Sequence, residues 1–183
     1  MLIARQKKEE NIIEYLLYMF QIEDLIRAHQ LDADLLYERI IEPQVQDEKL
    51  AEEYRNWYTG LIRAMKEQRK EKEGHIFELH EVQMELFYLH TTLVNLVKDK
   101  NYTEAFNKAL PFITEFREKS DSKLNDVDLA VQALYMKLLL KLKGKEILKE
   151  TEEAFDAMRN MLVKLAQAYH KMKKGDLDFF NNN

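Results

Sequence analysis

Cysteine is absent from this chain, which excludes disulfide frameworks, cysteine-based zinc sites, iron–sulfur clusters and thiol nucleophiles. Proline and glycine are nearly as scarce, with 2 and 4 residues among 183, so long helices meet few breakers. None of the glycines lies in a phosphate-cradling motif. Ser120 and Ser122 are the only serines, and neither has a flanking glycine, so a serine nucleophile elbow is missing too. No apolar run reaches the length of a membrane span; Tyr15–Phe20 and Leu138–Leu140 are core-helix runs. The opening segment MLIARQKKEE is charged and Glu14 interrupts the apolar stretch behind it, unlike a secretory leader. These absences point to a cytoplasmic protein that does not engage membranes.

A formal net charge of −5 argues against a nucleic-acid partner, which calls for a basic face. Basic clusters at Lys7–Lys8, Arg69–Lys72 and Lys171–Lys174 sit beside acids or at helix ends, where lysine offsets the helix dipole. With 46% hydrophobic and 33% charged residues the composition is globular rather than disordered.

Every substantial segment repeats at helical period, and none alternates like a strand. The predicted helices run from Lys8 to Ala28, Asp34 to Ile41 (capped by Asp32 or Asp34 and closed before Pro43), and Asp47 to Lys72. In the third, Leu50, Tyr54, Trp57, Leu61, Ala64 and Gln68 form the stripe, and Gly60 suggests close helix approach. The fourth, His75 to Lys98, carries a seam of Leu79, Val82, Leu86, Leu89, Leu93 and Leu96. Asn101 with Glu104 matches a capping box for a fifth segment, which Pro111 kinks or divides before Ser120. Asn125 caps a sixth helix to Lys143, and Lys145 to Lys174 is the seventh, with Gly175 as its C′ residue. In that helix Leu148, Thr151, Phe155, Met158, Leu162, Leu165, Tyr169 and Met172 keep a/d spacing.

The fold expected is all-α, an antiparallel helical bundle of about six to seven helices. Residues 1–175 form one domain, the first and sixth helices are central, and a tail over 176–183 frays, although Phe179 and Phe180 could dock. Leu16, Phe20, Leu86, Leu134, Leu138, Leu162 and Leu165 are expected to be buried. Thr103–Phe106 and Thr151–Phe155 echo a tetratricopeptide helix, but they lie 48 residues apart, against about 34 for that repeat.

Most site chemistry fails on spacing. A di-iron bundle needs inward Glu-x-x-His pairs. The residues three before His29, His75, His80, His90 and His170 are Ile26, Lys72, Phe77, Phe87 and Gln167. His75, Glu78, His80, Glu81 and Glu85 make a denser patch, but no i,i+4 histidine pair exists, and a solvated face is the reading rather than a metal site. No metal or cofactor is therefore expected. His90 borders the fourth seam, as a satisfied partly buried histidine more than a catalytic base. Trp57 is read as core, with a pocket or interface hot spot as the alternative.

One constellation stands out. On the first helix the apolar arc of Ile12, Leu16, Met19, Phe20 and Ile26 has Glu23 and Arg27 near its middle and Asp24 at its edge. Glu23 and Arg27 are i,i+4 partners and Asp24 is i,i+3 from Arg27. Such charges survive burial only when paired, so Arg27 is expected to be largely buried and bonded to Glu23 or Asp24.

This segment, MLIARQKKEENIIEYLLYMFQIEDLIRA, resembles the opening of small helical proteins from Bacteroidetes grouped only as a domain of unknown function. The resemblance is strongest over the first 28 residues and rests beyond them on length and helix layout. It implies an intracellular helical protein and brings no activity, cofactor or catalytic residue. Two functions stay open: a non-enzymatic interaction or scaffold protein using a bundle surface toward another chain or a second copy of itself, and a small-molecule pocket, catalytic or not, near Glu23, Asp24 and Arg27. No catalytic residue is assigned, and the reading leans away from an enzyme.

Overall fold

Asparagine at a helix entry satisfies backbone N–H groups that have no partner within the helix, and Asn11 does so here. In the computed structural model, which describes residues 2–175, its Oδ1 accepts from Ile13 N–H at 3.0 Å and from Glu14 N–H at 3.3 Å. The single predicted first helix is thereby divided. Helix α1 spans Leu2–Glu10 and α2 spans Ile12–Ala28.

Asp32 caps α3, Ala33–Leu36, which passes into a π-helical turn over Tyr37–Ile41. Asp47 caps α4, Glu48–Glu67, whose buried face is Ala51, Tyr58, Ile62 and Met65. The predicted stripe from Leu50 to Gln68 lies to one side of that face and is half-buried. Gly60 marks no close approach, since a Cβ added there would meet nothing within 4 Å. Helix α4 also ends before Lys72, with Arg69 turning the chain at φ 56°.

Helix α5, Phe77–Thr91, runs into a second π-helical turn over Thr92–Leu96. That turn takes up one residue more than an α-turn and rotates the end of the seam outward. Leu79, Val82, Leu86, Leu89 and Leu93 are buried, whereas Leu96 is 78% exposed. Helix α6, Lys100–Ser120, is capped by Asp99, which accepts from Tyr102 N–H at 2.7 Å, and not by Asn101. Pro111 lies inside α6 without dividing it. Helix α7, Asp126–Leu142, is capped by Asn125, and α8, Lys149–Lys174, ends on Gly175 at φ 76°.

The described residues thus form eight helices, close to the expected number, in an all-α arrangement. Helix α8 lies against α2, α5, α6 and α7, sharing the centre with the two helices expected there. Its a/d stripe is buried from Phe155 to Tyr169, but Leu148 is 76% exposed. Lys137 bridges α7 to Asp156 and Glu152 at the start of α8, as two helices joined antiparallel by a short turn require. Glu85 on α5 accepts from Tyr169 and Lys173 of α8 at 2.5 and 3.0 Å. Burial alone would raise its carboxyl, but these two bonds hold it below the usual carboxylate range. Expectations for Phe179, Phe180 and the 176–183 tail lie outside the described residues.

Of the core leucines named from sequence, Leu138 is the exception: it is half-buried, on the part of α7 that runs beyond its enclosed N-terminal half. Leu162→Ala, at a fully enclosed position, should therefore cost about 2–5 kcal/mol. Leu138→Ala should cost about 1 kcal/mol. Urea melts of the two variants check the ordering.

Candidate functional site

Helix α5 begins without a side-chain cap of its own, because Ile76 occupies the N-cap position. Distant residues supply the missing acceptors. Gln68, at the end of α4, accepts from Phe77 N–H at 2.6 Å, and Glu23 of α2 accepts from Ile76 N–H through Oε1 at 2.9 Å. An anion at a helix N-terminus is also favoured by the helix dipole. Glu23 is fully buried, so both its oxygens need donors. The second donor is His75, whose Nδ1–H donates to Oε2 at 2.5 Å.

Phe20 completes the setting, its ring stacked on the imidazole at 3.6 Å and 12°. With Nδ1 bonded to the carboxylate and one ring face covered, Nε2 is the nitrogen left for a ligand. A buried acid that orients a histidine and fixes its tautomer is the arrangement general acid–base chemistry uses.

Arg27 pairs with one of its two expected acids and adds partners outside its own helix. Its side chain is 15% exposed and pairs with Asp24 at 2.8 Å, as predicted. It does not bond Glu23. Instead Nε and Nη2 donate to the Lys70 carbonyl at 3.3 and 3.1 Å, and Nη2 also reaches the Gly74 carbonyl. Gly74 adopts φ 76°, a left-handed conformation that glycine takes without strain. Asp24 accepts in addition from the Tyr135 hydroxyl of α7 at 2.6 Å. Burial and this bond push the phenol well above its ordinary value. The charged trio therefore ties α2 to the 68–76 loop and to α7.

Asp24, Arg27, His75 and Tyr135 line a cleft of ≈ 740 Å³ between α2, the loop, α5 and α7. Arg27, Lys70 and Lys72 meet Asp24, Glu73 and Asp128 around it, three cations against three anions, with His75 and His80 in addition. Asp128 is buried and accepts from Gln83 and Asn125 at 3.0 and 2.7 Å. Burial pushes its carboxyl up, against the opposing pull of those bonds and of His80 and His75. Among the described residues no group of three or more His, Asp or Glu is placed to hold a metal ion.

The other candidates lie elsewhere. His90 is 7% exposed at the end of α5, bonded through Nδ1 to the Tyr102 hydroxyl at 2.7 Å and set edge-on against Phe106 at 4.7 Å. This is a satisfied core histidine. Trp57 is half-buried on α4, edge-on to Tyr58 at 5.0 Å, and does not line the cleft. His75, on a solvated face by its sequence context, lines the cleft, as do Tyr135 and Asp128, which no sequence pattern singles out. The available signal was Glu23, a buried acid whose expected partner Arg27 also had Asp24 beside it.

The chain matches, over residues 1–176, the model of a protein family described as a domain of unknown function (DUF4924). It belongs to that family, consistent with the resemblance of its opening segment. No curated protein and no solved structure matches it. No helix among the described residues is long and apolar enough to cross a membrane.

Two measurements follow. Arg27→Met strands the Lys70 and Gly74 carbonyls and should lower stability by about 2–4 kcal/mol. Because Glu23 is bonded elsewhere, adding Glu23→Gln should deepen that loss in a double-mutant cycle; recovery of stability would contradict the geometry. Burial holds His90 below its ordinary value of 6.5, against the nearby Asp126 charge. The folded state therefore prefers neutral His90, and this contribution, complete above about pH 6.5, is lost as pH falls toward the folded value. The melting temperature of the wild type should drop more steeply between about pH 7 and pH 5 than that of His90→Gln.

Proposed function

We propose that this protein binds a polar small molecule in the cleft at Arg27, with His75 exchanging a proton with it through Nε2. The single observation that carries the reading is the fully buried Glu23 bonded to His75 Nδ1, at the wall of a cleft large enough for a metabolite. Balanced charges around the opening favour a ligand carrying both signs, such as an amino-acid-like zwitterion, over a simple anion. His75 gives Glu23 its second donor through Nδ1 and leaves Nε2 free for a ligand. The cytoplasm is the proposed location, on the charge of the segment around Arg5–Glu14.

A protein partner is the second reading, favoured by Phe77 and Leu124, which are 59% and 40% exposed at the cleft. Self-association would use this rim, because the α8 stripe is enclosed within the bundle. A dimer mass by light scattering that Phe77→Ser abolishes would favour it.

Thermal-shift screening against a metabolite library should return polar hits that raise the melting temperature by mass action. For such a hit, His75→Gln should weaken binding about tenfold or more. Hits whose affinity ignores both His75→Gln and Lys72→Ala would sink the proposal.

A further inference from the structure

On the side of α2 away from Arg27, three tyrosines converge. Tyr18 of α2 meets Tyr54 and Tyr58 of α4 at a second cleft, of ≈ 450 Å³. Its aliphatic wall includes Ile40 and Ile41, delivered by the π-helical turn Tyr37–Ile41, and Leu50 from α4. Single π-turns inside helical segments frequently mark functional sites. The rest of the lining carries no Asp, Glu, Lys, Arg or His.

Tyr58 packs its ring into the core at 6% exposure, but its hydroxyl reaches solvent at the cleft. None of the three phenols makes a hydrogen bond to another described residue, so their O–H groups are open to a ligand. Burial and the neighbouring tyrosines push Tyr58 up to about 12 and also raise Tyr18, so these two stay neutral donors across the physiological range. A charged ligand would lose its hydration here without gaining a counter-charge. An apolar body with an acceptor oxygen would cover the aliphatic wall and take the free O–H groups together.

We infer that the Tyr18–Tyr54–Tyr58 cleft is a second, independent ligand site, for an uncharged ring compound bearing a carbonyl or ether oxygen. It does not depend on the reading of the Arg27 cleft.

The full chain titrated with 2-acetylnaphthalene, followed by calorimetry and by emission of Trp57, the chain's single tryptophan and the ring edge-on to Tyr58, should show saturable binding. Naphthalene-2-carboxylate, with the same rings and a charge, should bind at least about tenfold more weakly. Tyr58→Phe keeps the ring in the core and should lose about tenfold in affinity. Val45→Trp, which fills the cleft from a half-buried loop position, should abolish binding with the helical circular dichroism intact. His75→Gln should leave the affinity unchanged. No saturable binding up to about 1 mM, equal affinity in Tyr58→Phe, or tighter binding of the carboxylate would overturn the assignment.

Discussion

A helix that cannot cap itself must be started from outside, and in this bundle that need fixes the placement of the charged groups. The N-terminus of α5 is closed by Glu23 and Gln68, from α2 and α4. Because Glu23 is fully buried, its desolvation is tolerable only if both oxygens stay bonded, one to Ile76 N–H and one to His75. The loop that delivers those donors is in turn held by Arg27 through the Lys70 and Gly74 carbonyls. Three side chains thus define where α5 begins, and with it the wall that α5 gives the cleft.

The same economy explains how α2 serves two clefts at once. Its Arg27 side meets the polar cleft with α7, while Tyr18 faces the tyrosines of α4. Charge is confined to the first cleft and absent from the lining of the second. A single helix separates a mixed-charge cleft from a neutral one.

Much of the bundle was legible because helical period and capping are local. Asn125, Asp32 and Gly175 act where their positions implied, and the α5 seam through Leu93 is buried as read. Errors arose where local rules compete. Asn11 can sit inside a helix or cap one, and the cap wins. Asp99 outcompetes Asn101 because its carboxylate reaches Tyr102 N–H. The site was legible only in part. Glu23, Asp24 and Arg27 announced themselves as charges on an apolar arc, but their partners lie far along the chain: His75 is 52 residues from Glu23 and Tyr135 is 111 from Asp24. No periodicity encodes such pairs, and His75, beside glycine in a charged stretch, has the local look of a surface residue.

The π-helical turn at Thr92–Leu96 has a consequence for how chains of this family can differ in length. A π-turn is equivalent to one residue inserted into an α-helix, and the insertion here begins at Thr92, after Leu79–Leu89 and around the last buried seam residue, Leu93. A relative lacking one residue at this point would keep the whole packed seam of α5, and the position of Leu96 would swing back toward the core. Single-residue gaps between relatives should therefore gather at this turn, away from Leu79–Leu89, where the same gap would rotate every later seam residue out of the bundle.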